Sequence, residues 1–159
     1  MVAIFQNCVY SERERENITM IRINIIKSHP EQEVFSKMHS VDSEKRRVFG
    51  FFSVVEEGEK EVIDYHGDVI PAEDLEEAAY KYVMYSGMGD EGHDERAKAM
   101  LIESMFFSKE KQRALGINLG KVCWWGGFYI MDDDLWQKVK SGKYPMFSIG
   151  GRSQIEKPV

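Results

Sequence analysis

A single serine stands between two bulky apolar residues in the stretch PMFSIGG, over residues 145–151. Alternating apolar residues of this kind predict a β-strand. The two glycines that follow, Gly150 and Gly151, have no side chain and allow another chain to approach the backbone closely. A serine hydroxyl becomes a strong nucleophile only when a neighbouring base removes its proton. Ser148 is therefore a candidate nucleophile, and a purely structural strand serine is the alternative.

Four histidines could supply that base: His29, His39, His66 and His93. His93 comes shortly before the apolar stretch Met100–Phe107, which predicts a buried strand that Glu103 interrupts. A buried carboxylate needs a partner, and a histidine ring N–H suits it because the acid can fix the tautomer and support the imidazolium. Ser148, His93 and Glu103 could therefore act together. The alternatives are a solvated loop histidine and an outward-facing Glu103, which could pair with Arg96.

Clusters of aspartate and histidine offer a different chemistry, because carboxylates with imidazole can bind a divalent ion. Two clusters have this composition: Asp64, His66 and Asp68, and Asp90, His93 and Asp94. A metal-dependent hydrolase is one interpretation. Solvated turns are the other, since loops rich in aspartate and glycine usually have that role.

The composition restricts the class of protein. A chain of 159 residues with 43% apolar and 30% charged residues is typical of one soluble domain. The sequence contains no run of about 18 apolar residues, so it predicts no membrane span. The net charge of −6 argues against a general nucleic-acid binder. Two cysteines, Cys8 and Cys123, indicate neither a disulfide framework nor a metal site, and favour a reducing, cytoplasmic setting.

The patterning predicts more strands than helices. Strands are predicted at residues 20–26, 48–55, 100–107, 122–130 and 145–151, with loops at 28–46, 87–98 and 108–121. One helix is predicted after Pro71, and a second after the three aspartates of MDDDLWQKVKSGKY. Strand pairs separate the two helices, which favours an antiparallel α+β or barrel-like domain over a doubly wound sheet. Residues 1–19 are a poorly defined N-terminal extension, and residues 20–159 form the single domain.

Three segments then match one known family in order. The first is DYHGDVI with the helix EDLEEAAYKY, the second is GHDERAKAMLIES, and the third is WWGGFYIMDDDLWQKVKSGKYPMFSIGG. In these segments the chain resembles the XkdF-like phage serine proteases, relatives of the prohead (capsid maturation) proteases. The likeness extends from about Arg47 to Gly151, and its final segment is the most specific.

This resemblance implies a mainly antiparallel, distorted β-barrel with peripheral helices, similar to herpesvirus assemblin. It implies Ser148 as the nucleophile and His93 as the base. Glu103 fits the family's Glu-Ser block and would be the third member. Backbone N–H groups near Gly150 and Gly151, together with Arg152, are candidate donors to an oxyanion on position alone, and a plain turn is the alternative at the glycines.

The resemblance also implies a biological setting. The protein would be an endopeptidase that cleaves the phage scaffold protein and the major capsid protein inside the procapsid, in the host cytoplasm. It would need no metal and no organic cofactor, and it would bind neither nucleic acid nor membrane. A homo-oligomer is compatible with this reading. The rival is a non-catalytic capsid assembly or scaffold-binding domain that keeps the protease fold.

Overall fold

The structure is a computed structural model that describes residues 22–27, 37–63, 69–92 and 96–150. The predicted extension over residues 1–19 lies outside this range. The described chain has eight strands and three helices, in the order β1 (Arg22–Ile26), β2 (Met38–Asp42), β3 (Arg47–Glu57), β4 (Lys60–Glu61), α1 (Ala72–Tyr85), β5 (Met88–Glu91), β6 (Ala99–Phe107), α2 (Lys109–Leu115), β7 (Lys121–Ile130), α3 (Asp133–Lys140) and β8 (Met146–Gly150).

The eight strands form one sheet in the order β2-β3-β7-β6-β5-β1-β8, with β4 paired to β3. All pairs are antiparallel except β1 and β5, which run parallel. The sheet curls until its ends touch, because Lys37 bridges Met146 and the Met38 N–H donates to the Pro145 carbonyl at 2.8 Å. The predicted α+β class is confirmed. The sheet is a curled half-barrel of mixed topology rather than a purely antiparallel one, and the likeness to assemblin stays a prediction.

The inner face of the curled sheet carries an aromatic core. The Phe52 ring lies 4.9 Å from that of Phe147, 5.2 Å from Phe128 and 5.3 Å from Trp124, measured between ring centroids. Helix α1 closes this side, since the Tyr82 ring packs 5.6 Å from Trp124. All five rings are at most 2% exposed. Burial of large aromatic side chains is the main stabilising contribution here.

The paired glycines of β7, Gly126 and Gly127, are sites of close packing. A Cβ at Gly126 would lie 2.2 Å from the buried Phe52 ring and 2.8 Å from the Glu103 carbonyl oxygen. A Cβ at Gly127, on the other face, would lie 2.4 Å from the half-buried Phe49 ring. Absence of a side chain therefore lets one ring cover β7 on each face.

Two of the three helices were predicted. Helix α3 begins where the Asp132 carboxylate accepts the Leu135 N–H at 2.7 Å. The prediction of a loop over residues 108–121 was wrong, because α2 lies there. The Ser108 hydroxyl caps its start and Gly116, at φ 67°, ends it in the left-handed conformation.

Replacement of Gly126 by alanine is expected to reduce the free energy of unfolding by about 3 kcal/mol, because both the core ring and a backbone carbonyl obstruct a Cβ. The matched Gly127→Ala should cost less, since Phe49 can move towards solvent. Denaturant unfolding monitored by tryptophan fluorescence measures both. Equal losses would contradict this account of the packing.

Candidate active site

Strand β8 holds Ser148 between two residues that are anchored in the core. Phe147 is fully buried, and Ile149 packs against the same core. Because successive side chains of a strand point to opposite faces, Ser148 faces away from the aromatic core, where it is half-buried. The predicted strand is thus confirmed, and it presents the hydroxyl on the outer face of the sheet.

The neighbouring strands place two polar residues in line with this serine. Ser148 lies opposite Asn24 of β1, and Asn24 lies opposite Asp90 of β5. Residues opposite one another in adjacent strands share a face, so these three side chains form a row. The residues beside Asn24, Ile23 and Ile25, are fully buried on the inner face, as this alternation requires. We call Ser148, Asn24 and Asp90 the polar row.

The polar row is buried at two of its three positions. Asn24 is 0% exposed and Asp90 is 6% exposed. The Asn24 amide donates from Nδ2 to the backbone carbonyl oxygen of Ser148 at 3.4 Å. The charge of Asp90 also acts on helix α1: burial and this carboxylate raise the pKa of Tyr82, whose hydroxyl donates to the Met88 carbonyl at 2.7 Å.

The next residue along β5, Glu91, makes a tight ionic cluster with two lysines. Lys98 Nζ lies 2.5 Å from one carboxylate oxygen, and Lys138 of α3 pairs with the other. Burial alone would raise the pKa of Glu91. Hydrogen bonds and charge from Lys138 and Lys98 outweigh it and lower that pKa. The cluster joins the end of β5 to the start of β6 and to α3.

This cluster and two backbone hydrogen bonds fix both ends of the segment between β5 and β6. The Gly92 N–H donates to the Ile25 carbonyl at 3.2 Å, and the Lys98 N–H donates to the Gly89 carbonyl at 2.9 Å. The segment therefore leaves the sheet at the end of β5, two strands from Ser148, and rejoins it at the start of β6, three strands away. His93 comes three positions after Asp90 in the sequence.

Several residues predicted for the site lie outside the described part of the chain: His29, His66, His93, Gly151 and Arg152. Their roles stay predictions. Gly150 is described and ends β8 opposite Arg22.

Glu103 is exposed on β6, as its outward-facing alternative predicted, and the prediction that the strand over residues 100–107 is buried was wrong. Strand β6 is three strands from β8 in the sheet, which is about 14 Å. Ala99 lies opposite Gly89, so Glu103 is a further four residues, about 13 Å, along the strand. The structure therefore does not bring Glu103 to Ser148, and its role as the third member stays a prediction.

His39 belongs to a different part of the sheet. Its ring lies 4.9 Å from that of Phe51 and 5.8 Å from that of Trp125. The bridge between Lys37 and Met146 is antiparallel, so the residues after Lys37 lie beside those before Met146. His39 therefore lies further from Ser148 than Lys37 does. His39 is thus part of an aromatic cluster rather than a neighbour of the serine.

Within the described ranges, no group of three or more His, Cys, Asp or Glu side chains could hold a metal ion. Most members of the two predicted clusters, Asp64, His66, Asp68, His93 and Asp94, lie outside those ranges. None of the described helices has the length and apolar character needed to span a membrane.

The described residues place Ser148 on a strand beside buried polar side chains, and a serine becomes a strong nucleophile when a base lies within hydrogen-bonding reach. The family whose model matches residues 33–156 is described as "Putative phage serine protease XkdF". The match covers more than three quarters of the chain, and the chain belongs to this family of phage serine proteases. No curated protein and no solved structure shows significant similarity to it.

Asn24 and Asp90 were not predicted to be neighbours of Ser148. Asp90 was predicted only as a candidate metal ligand. One signal was available: Asn24 is the polar member of the otherwise apolar run INII, and a buried amide needs hydrogen-bonding partners. The identity of those partners depends on strand pairing across more than a hundred residues.

Replacement of Glu91 by glutamine should reduce the free energy of unfolding at pH 7 by about 2 kcal/mol, because two lysines lose their counter-charge. The folded pKa of Glu91 lies below its unfolded value, so its contribution is present at neutral pH and is lost as the pH falls through the folded pKa. The difference in unfolding free energy between Glu91→Gln and the parent should therefore become smaller in acid. Thermal unfolding at a series of pH values measures it.

The matched control is Glu77→Gln. Glu77 pairs with Lys81 on an exposed face of α1, where its side chain is 68% exposed. Its removal should change the unfolding free energy by no more than about 0.5 kcal/mol. A difference between Glu91→Gln and its parent that persists undiminished in acid would show that the ionic cluster does not stabilise the fold.

Proposed function

We propose that this protein is a phage prohead (capsid maturation) serine endopeptidase that acts through Ser148, with His93 as general base. The observation that carries the proposal is the position of Ser148, which β8 places on the outer face in register with the buried Asn24 and Asp90. The family match supports it, because residues 33–156 include both Ser148 and His93.

The reaction is acyl transfer. His93 takes the hydroxyl proton while Ser148 Oγ attacks a peptide carbonyl carbon and forms a tetrahedral intermediate. The C–N bond then breaks, His93 gives the proton to the leaving amine, and an ester with Ser148 remains. Water attacks this ester with His93 again as base. The second product leaves as a carboxylic acid, and the free serine is restored.

The oxyanion of the tetrahedral intermediate needs preorganised donors, each commonly worth about 3 kcal/mol. Backbone N–H groups near Gly150 and Gly151 are the proposed donors, because these residues come two and three positions after Ser148 in the sequence. Arg152 assists directly or through a water molecule. The substrate binds as an extended segment along a strand edge, so that main-chain hydrogen bonds align its scissile bond.

The proposed substrates are the phage scaffold protein and the major capsid protein. Cleavage takes place inside the procapsid, in the host cytoplasm. Such substrates suit an extended-segment mode of binding, since cleavage requires a peptide that can leave its own fold. The chemistry requires no metal ion and no organic cofactor, and association of several copies of the enzyme is compatible with it.

Replacement of Ser148 by alanine should remove covalent labelling by a fluorophosphonate probe and reduce peptide cleavage on the order of 10⁴-fold or more. The probe forms a bond between Ser148 Oγ and phosphorus while fluoride leaves. The matched control is Ser53→Ala, since Ser53 is also a half-buried strand serine. Mass spectrometry of the labelled peptide measures both. Labelling of Ser148→Ala at the parental rate would refute the assignment.

Replacement of His93 by alanine should reduce labelling and cleavage about as strongly as loss of Ser148, because the two groups act as a unit. Cleavage is followed by mass spectrometry after co-expression with the phage's scaffold and capsid proteins. A folded parent protein that neither labels at Ser148 nor cleaves would favour the non-catalytic assembly domain.

A further inference from the structure

The outer face of three adjacent strands carries a carboxylate close to the candidate nucleophile. Asp90, Asn24 and Ser148 lie opposite one another on β5, β1 and β8. At about 4.8 Å between neighbouring strands, the Cα of Asp90 is about 10 Å from that of Ser148. The side chains of Asp90 and Ser148, with one further side chain between them, can span this distance.

Burial makes this carboxylate unusual. Asp90 is only 6% exposed, whereas an ionised carboxylate in a protein interior is costly unless charged or hydrogen-bonding groups compensate it. The charge of Asp90 also acts on Tyr82 of α1, because burial and this carboxylate together raise the pKa of Tyr82. Arg22 lies two residues before Asn24 and therefore on the same face of β1.

Asn24 stands between Asp90 and the strand that carries the nucleophile. It is completely buried, it lies between the two residues, and its amide donates to the Ser148 carbonyl oxygen. A buried amide of this kind fixes the distance between β1 and β8 at the level of Ser148, and a buried polar network is rigid when its members are satisfied.

We infer that Asp90 and Asn24 are positioning residues of the proposed protease, with Asp90 as the acid that supports the general base and Asn24 as the link to the Ser148 strand. The inference rests on the proposed function. Asp90 supplies negative charge on the face of the sheet that carries Ser148, and such a charge stabilises a protonated base. Asn24 holds the nucleophile's backbone.

The register favours Asp90 over Glu103 for this task. Asp90 is two strands from Ser148 at the same level of the sheet, while Glu103 is three strands away and displaced along its strand. Asp90 is also buried and Glu103 is exposed. A charge acts more strongly at short range and away from water.

The experiment compares Asp90→Asn with Glu103→Gln and with the control Glu77→Gln, using the rate of fluorophosphonate labelling at Ser148 from pH 5 to pH 9. Circular dichroism and thermal unfolding establish that each variant is folded. Asp90→Asn should label about tenfold more slowly or worse. Its pH midpoint should move down, because loss of a nearby negative charge lowers the pKa of the base. Glu77→Gln, which removes an exposed carboxylate of α1, should label like the parent.

Asn24→Ala separates the two roles. It removes the link but keeps the Asp90 charge, so labelling should slow while the pH midpoint remains that of the parent. If Asp90→Asn does not fold, Asp90→Glu replaces it. A slower rate with the parental midpoint in Asp90→Glu supports the inference, and the parental rate overturns it.

Two failures are distinguishable. If the parent labels at Ser148 but Asp90→Asn keeps both its rate and its midpoint, the inference about Asp90 is overturned and the proposed function stands. If Glu103→Gln instead shows the slower rate and shifted midpoint, Glu103 is the acid and the inference is again overturned. If the folded parent does not label at Ser148, the proposed function itself fails.

Discussion

The pairing of β1 with β8 determines which face of the sheet carries the serine. The side-chain period of a strand is two residues, so a slip of one position would turn Ser148 into the aromatic core and Phe147 towards solvent. Ile23 and Ile25 oppose that slip from β1, because both are fully buried beside Phe147. The core therefore fixes the position of the hydroxyl without touching it.

Two consecutive carboxylates of β5 have separate tasks for the same geometric reason. Asp90 faces outward in the polar row, and Glu91 points to the other face, where two lysines neutralise it. Glu91 joins β5 to β6 and α3, so it keeps the strand in place. The ion pairs of Glu91 therefore also hold the neighbouring Asp90 on the outer face.

Many of the helices and strands were predictable from local sequence patterns. The helix after Pro71, the acidic start of α3 and the strand around Ser148 all follow from spacing over a few residues. Strands β2 and β5 were missed because MHSVD and MGDE are short and largely polar, and resemble loops when read alone.

The candidate site was less predictable, because it depends on contacts between distant parts of the chain. The parallel pairing of β1 with β5 has no local signature, so the alignment of Asn24 with Asp90 was not visible. Glu103 was misjudged for a different reason. The register of β6 against β7 shifts between Leu101 and Glu103, so simple alternation no longer tells which residues face the core.

The polar row also sets an order of events during synthesis. Its members come from the beginning, the middle and the end of the described chain, and Asn24 and Ser148 are 124 positions apart. A ribosome adds about 5–20 residues per second, so several seconds separate the first strand of the site from the last. Contacts of such long range also form slowly. The polar row is therefore complete only once the whole sheet has formed, and under the proposed function a growing chain that lacks β8 also lacks its nucleophile.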